Sequence, residues 1–142
     1  MSASNRRNSD RNSVQVSQDF HLLEAPLRRL DPEIHQFAES HRLVVSKNVK
    51  GWPERSIEWD TSSGIHCLIQ IFMSDADNTK FNVWICAGKT IRGIRKWKNK
   101  YIRKERSVDE IQSNLPKILD RSRKTILSWR DSDLEPAPYQ PS

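Results

Sequence analysis

The stretch IHCLIQIFMSDADNTKFNVWICA, residues 65–87, decides the fold of this 142-residue chain. Two apolar runs, 65–73 and 81–87, are rich in Ile, Val, Phe and Trp, the residues that fit a pleated and half-buried surface. Between them Ser74-Asp75-Ala76-Asp77-Asn78-Thr79 is turn chemistry. A spacer this short predicts an antiparallel hairpin, because a parallel crossover needs about a dozen residues or more.

Upstream, residues 55–60 alternate, with Ile57 and Trp59 on one side and Ser56, Glu58 and Asp60 on the other. Residues 43–49 are rich in Val. Lys50-Gly51-Trp52-Pro53 and Thr61-Ser62-Ser63-Gly64 separate these strands, so the pattern reads as a meander. A last strand is expected near 100–106, after a loop.

Helices flank the sheet in the chain. Leu22, Leu23, Leu27 and Leu30 form an apolar cluster interrupted by Pro26. Asp31-Pro32-Glu33 is a helix start, with Asp as N-cap and Pro at the first helical position. Ile34, Phe37 and Ala38 then share a face, and the helix ends near Ser40 and His41. Ser107-Val108-Asp109-Glu110 fits the capping box. It opens a helix whose stripe is Ile111, Leu115, Ile118, Leu119, Ser122, Ile126 and Trp129. Pro116 either kinks that helix or breaks and restarts it. The expectation is an α+β fold: an antiparallel meander sheet of four to five strands with an N-terminal and a C-terminal helix.

Pairing the hairpin symmetrically about Ala76 and Asp77 sets Leu68 opposite Ile85, Gln70 opposite Val83 and Phe72 opposite Phe81. It sets Ile69 opposite Trp84 and Cys67 opposite Cys86. Ile57 and Trp59 then join the Leu68 face as the main core. The other face still carries Ile69, Ile71, Met73 and Trp84, where a solvated face would alternate. Either helices cover both sides, or a helix covers one and a partner, dimer mate or ligand the other. Ile69, Ile71 and Trp84 are the candidate protein interface. A slip of one residue would reassign every face.

Length and composition bound the rest. The chain suits one domain. Residues 1–19, polar and rich in Ser, Asn and Arg, read as a disordered tail. Residues 20–130 form the domain, and 131–142 an acidic tail with Pro136, Pro138 and Pro141. Mean hydropathy is −0.78, and no apolar run approaches the ~20 residues of a membrane span. No secretory signal is visible, and two cysteines make no disulfide framework, so a cytoplasmic location with no membrane partner is expected.

The net charge of +6 is local. Residues 89–106 hold Lys89, Arg92, Arg95, Lys96, Lys98, Lys100, Arg103, Lys104 and Arg106 against Glu105 alone. Read as extended chain, Arg95, Trp97, Asn99, Tyr101 and Arg103 share one side, and Lys96, Lys98, Lys100 and Lys104 the other. Such bases neutralise phosphates, while Trp97 and Tyr101 are candidates to stack on unpaired bases. The competing readings are a solvated edge that blocks unwanted strand pairing and a docking site for an acidic protein.

Catalytic chemistry is sparse. His66 near Glu58 and Asp60 suits general acid–base work, but no nucleophile motif adjoins it. Ala87-Gly88-Lys89-Thr90 ends like a phosphate loop, yet Val83 stands where its first glycine belongs. His21, His35, His41 and His66 lack metal-ligand spacing, and Cys67 and Cys86 read as buried apolar thiols. No catalytic residue, metal or cofactor is assigned. The leading expectation is a non-enzymatic binding protein for a polyanion, foremost nucleic acid. The alternative is an immunity-like or chaperone-like interaction module or a homodimer, with a small enzyme ranked behind both.

Overall fold

The computed structural model describes residues 22–47 and 52–137. The tail expected at 1–19 lies outside the described residues, as do Lys50 and Gly51 of the Lys50–Pro53 turn. Helix α1 spans residues 22–28, α2 Asp31–His41, α3 Val108–Ser113 and α4 Leu115–Ser128. The strands are β1 Val44–Lys47, β2 Glu54–Asp60, β3 His66–Met73, β4 Lys80–Ile91, β5 Ile94–Ser107 and β6 Glu135–Pro136. They form one antiparallel sheet in chain order β1-β2-β3-β4-β5-β6. The α+β class and the meander stand, with six strands rather than four or five and two helices at each flank rather than one.

The hairpin register differs from expectation by one residue. Met73 pairs with Phe81, Ile71 with Val83, Ile69 with Ile85, and Cys67 with Ala87. The turn is the cause. Asp77 Oδ1 accepts from the Thr79 N–H (2.9 Å) and hydroxyl (2.6 Å), and Lys80 N–H bonds to Asp77 O (3.0 Å). This Asx turn centres the loop on Asp77 itself, not on the Ala76–Asp77 bond. Cys67 and Cys86 are therefore not opposite each other.

That slip makes the sheet one-sided. Ile57, Cys67, Ile69, Ile71, Met73, Phe81, Val83, Ile85 and Ala87 all lie in the buried cluster, with Leu27, Leu30, Ile34, Ile111, Leu115, Ile118 and Ile126 above them. Both α2 and α4 pack on this face, α2 against β1 and α4 against β3 and β4. Ile69 and Ile71 are thus core residues, not an interface, and Trp84 belongs to the opposite face. Ile57 sits with Ile69, not with Leu68.

Two local expectations resolve in detail. Pro116 breaks and restarts the C-terminal helix: α3 ends at Ser113, and Pro116 opens the first turn of α4. Ser107 caps α3 by accepting the Glu110 N–H at 3.2 Å. Asp31, by contrast, does not cap α2; Leu30 holds that position. The Asp31 carboxylate is taken by Arg55, a core-facing residue of β2 that is 1% exposed.

Arg55 Nε donates to Asp31 Oδ1 at 2.7 Å and Nη2 to Oδ2 at 3.3 Å. Its Nη1 donates to Glu54 O at 3.1 Å and lies 3.5 Å from Glu24 Oε2. One guanidinium therefore ties β2 to α1 and α2. Removing one partner of a buried pair leaves an uncompensated charge, at a cost of about 3–5 kcal/mol. Arg55→Ala should lower unfolding stability by that amount in urea titration. Lys124→Ala, which breaks only the exposed pair with Asp120, should change it by no more than about 0.5 kcal/mol.

Candidate functional site

With every described helix on one side, the other face of the sheet is left without a covering element among the described residues. Alternation places Glu54, Ser56, Glu58 and Asp60 of β2 there, then His66, Leu68, Gln70 and Phe72 of β3, and Trp84 and Cys86 of β4. Across β4 and β5, Trp84 pairs with Tyr101, Cys86 with Asn99, and Gly88 with Trp97. The face is acidic along β2 and aromatic along β4 and β5.

The aromatic half is built with fixed geometry. Trp84 and Trp97 meet edge to face, with centroids 6.1 Å apart and planes at 67°. Trp84 Nε1 donates to Asn99 Oδ1 at 3.2 Å. Tyr101 is 44% exposed, and the Lys104 ammonium lies 5.2 Å from its ring centroid. Gly88 stands opposite Trp97, where a β-carbon would lie 3.6 Å from the Trp97 Cβ.

The basic segment is strand almost throughout, not loop followed by strand. β4 runs on to Ile91, and Ile91 pairs with Ile94 across Arg92-Gly93. Both turn residues have positive φ, 52° and 78°, as the two-residue hairpin turn that suits strand twist requires. The signal was present in the sequence as Arg92-Gly93 between Ile91 and Ile94.

Arg95, Trp97, Asn99 and Tyr101 share the open face as expected. Lys96, Lys98 and Lys100 pair with Lys89, Ala87 and Ile85 and so lie on the helix side. Lys98 Nζ sits 5.7 Å from the Trp129 ring centroid there. Beyond Tyr101 the alternation breaks. Val83 pairs with Arg103 while Trp84 pairs with Tyr101, so Ile102 is the extra residue of a bulge. The bulge moves Arg103 to the helix side, where it lines a pocket with Ile111 and Ile118. Lys104 moves to the open face. The expected sides of Arg103 and Lys104 are thus exchanged.

Residues 131–137, expected as part of an extended acidic tail, continue the fold instead. A turn of 3-10 helix at Asp131–Asp133 leads through buried Leu134 into β6. Glu135 and Pro136 pair with Trp97 and Lys96, and Asp131 Oδ2 lies 3.0 Å from Lys89 Nζ. Acidic chain therefore lies along one end of β5.

The His66 expectation is met in distance. Nδ1 lies 2.9 Å from Asp60 Oδ1, and Nε2 lies 3.2 Å from Glu58 Oε1. The nearby Ser46 hydroxyl donates to Glu58 Oε2 at 3.2 Å rather than to the imidazole. His66 thus pairs with the carboxylates of Asp60 and Glu58. No cluster of metal-ligating side chains occurs among the described residues. None of the described helices is long and apolar enough to cross a membrane.

Cys67 faces the core and Cys86 the open face. Burial pushes both thiols up to about 11, with Asp60 adding to the effect at Cys67. Only thiolate attacks an electrophile. Alkylation by iodoacetamide at pH 8 should therefore run about a hundredfold slower in the folded chain than in urea, since two pH units separate the raised from the ordinary thiol pKa. Compared with known proteins, the chain matches no family model, no curated protein and no solved structure.

Proposed function

We propose that this chain is a non-enzymatic binding protein that holds a single-stranded nucleic acid along the β4–β5 half of its open sheet face. The observation that carries the reading is the arrangement of Trp84, Trp97 and Tyr101 on a face with no covering element among the described residues, with Arg95 and Lys104 on the same face. Aromatic rings on a platform stack with bases whatever their sequence, and lysines and arginines along the same strand neutralise phosphates. A duplex hides its base faces, so the aromatics favour unpaired strands.

Charge sets the path. Glu54, Glu58 and Asp60 line β2 and repel phosphate, so the polyanion is confined to the opposite half of the sheet. Arg95 and Lys104 stand on the face itself. Lys96, Lys98 and Lys100 lie on the far side of β5, where they add positive potential behind the aromatic face, and β6 pairs along the strand edge at Lys96. The edge contact between Trp84 and Trp97 and the Trp84–Asn99 hydrogen bond hold the platform before ligand arrives, which lowers the entropy lost on binding.

About four neutralised phosphates would give a log–log salt slope near −3 for a single strand. Anisotropy with a labelled oligonucleotide should show that slope. Lys96/Lys98/Lys100→Glu should abolish binding with the circular dichroism spectrum unchanged. Tyr101→Ala should cost about 1–3 kcal/mol. The absence of any shift with single- or double-stranded DNA or RNA at low salt would refute the reading.

A further inference from the structure

At the other end of the open face from the β4–β5 turn lies a cleft walled by Trp52, Phe72 and Tyr101, with a volume of about 500 Å³ open to solvent. Trp52 is fixed by donating its Nε1–H to the Met73 carbonyl. Phe72 projects from β3 and Tyr101 from β5, with Asn82 of β4 between them in the sheet. Three aromatic rings around one opening of this size suit a flat heteroaromatic group.

The polar rim is equally ordered. Glu105 has a left-handed backbone, φ 55°, which is strained for a side chain of its kind. Its N–H donates to Asn82 Oδ1 at 2.9 Å, and its Oε1 accepts the Ser74 hydroxyl at 2.8 Å. The register shift between Phe81 and Val83 sits beside it. Bulges and strained residues of this kind re-aim side chains at functional sites. With Asn82 Oδ1 engaged, what Asn82 can offer the cleft is its amide N–H. Glu105 and Asp75 offer carboxylate acceptors. Lys104, drawn over the Tyr101 ring, puts a positive charge at the mouth.

We propose that this cleft takes one unpaired nucleobase bearing an exocyclic amino group, with its flanking phosphate on Lys104. This rests on the reading of the β4–β5 face as a nucleic-acid platform and adds a base-selecting pocket to it. Carboxylates accept from the amino groups of guanine, adenine or cytosine. Uracil and thymine present no exocyclic amine and offer a single N3–H, so they satisfy fewer of these acceptors than guanine, whose N1–H and amino group both donate.

The test uses the full chain and an oligouridine carrying one central 6-thioguanosine. Near-ultraviolet irradiation should form adducts that peptide mass spectrometry places on Trp52 or Phe72. The guanine-containing oligonucleotide should bind about tenfold or more tightly than plain oligouridine, and Phe72→Ala and Trp52→Ala should remove most of that preference. Adducts only at Trp84, Trp97 or Tyr101, with equal affinities and silent variants, would overturn the cleft while leaving the platform reading intact. No binding of either oligonucleotide at low salt would overturn both. Because adduct mapping is done on the unaltered chain, a misfolded variant does not decide the outcome.

Discussion

The arrangement of this molecule depends on one buried guanidinium. Arg55 occupies a core-facing position of β2, among Ile57, Ile69 and Ile71, where a charge without partners is prohibitively expensive. It is tolerated because Asp31 meets it through two oxygens and Glu24 and the Glu54 carbonyl take the remaining nitrogen. Those partners come from α1, α2 and β2. The requirement to satisfy Arg55 therefore orients both N-terminal helices on the sheet, in a way that apolar packing alone does not specify. It also explains why α2 starts without a side-chain cap: its natural capping residue is committed elsewhere.

From that constraint the one-sidedness follows. α1 and α2 are drawn to the Arg55 face, and α4 packs against β3 and β4 on the same face. The isoleucines of β3 and β4 point the same way because the Asp77 turn sets their register. What remains opposite is a mixed surface, acidic along β2 and aromatic along β4 and β5. A symmetric sandwich of helices would have buried Trp84, Trp97 and Tyr101.

The charge of the chain acquires direction in the same way. A strand presents its side chains to two sides, so the bases of β5 are divided between the open face and the helix face. The Ile102 bulge exchanges Arg103 and Lys104 between them, which puts the one lysine of that end beside the Phe72–Tyr101 cleft. The acidic residues 131–137 then cover part of the strand edge and engage Lys89. The net charge of +6 describes none of this.

Much of the architecture was legible in the chain. The turn residues between short apolar runs specify an antiparallel meander, since local backbone preference and spacer length suffice for that. The Ser107 cap, the stripe of α4 and the break at Pro116 rest on contacts within a few residues, and the basic run with Trp97 and Tyr101 is plain in the letters. The register, the side on which the helices lie and the salt-bridged core arginine were not legible. Runs such as Cys67-Leu68-Ile69 and Trp84-Ile85-Cys86 are apolar at every position, so either face can be inward and the pattern alone does not choose. Only a side-chain hydrogen bond inside a loop, and a charge that needs partners from distant segments, break that tie. The sequence by itself determined which elements exist and where charge is concentrated, because those depend on neighbours in the chain. The tertiary structure decided which face is open, because that depends on neighbours in space.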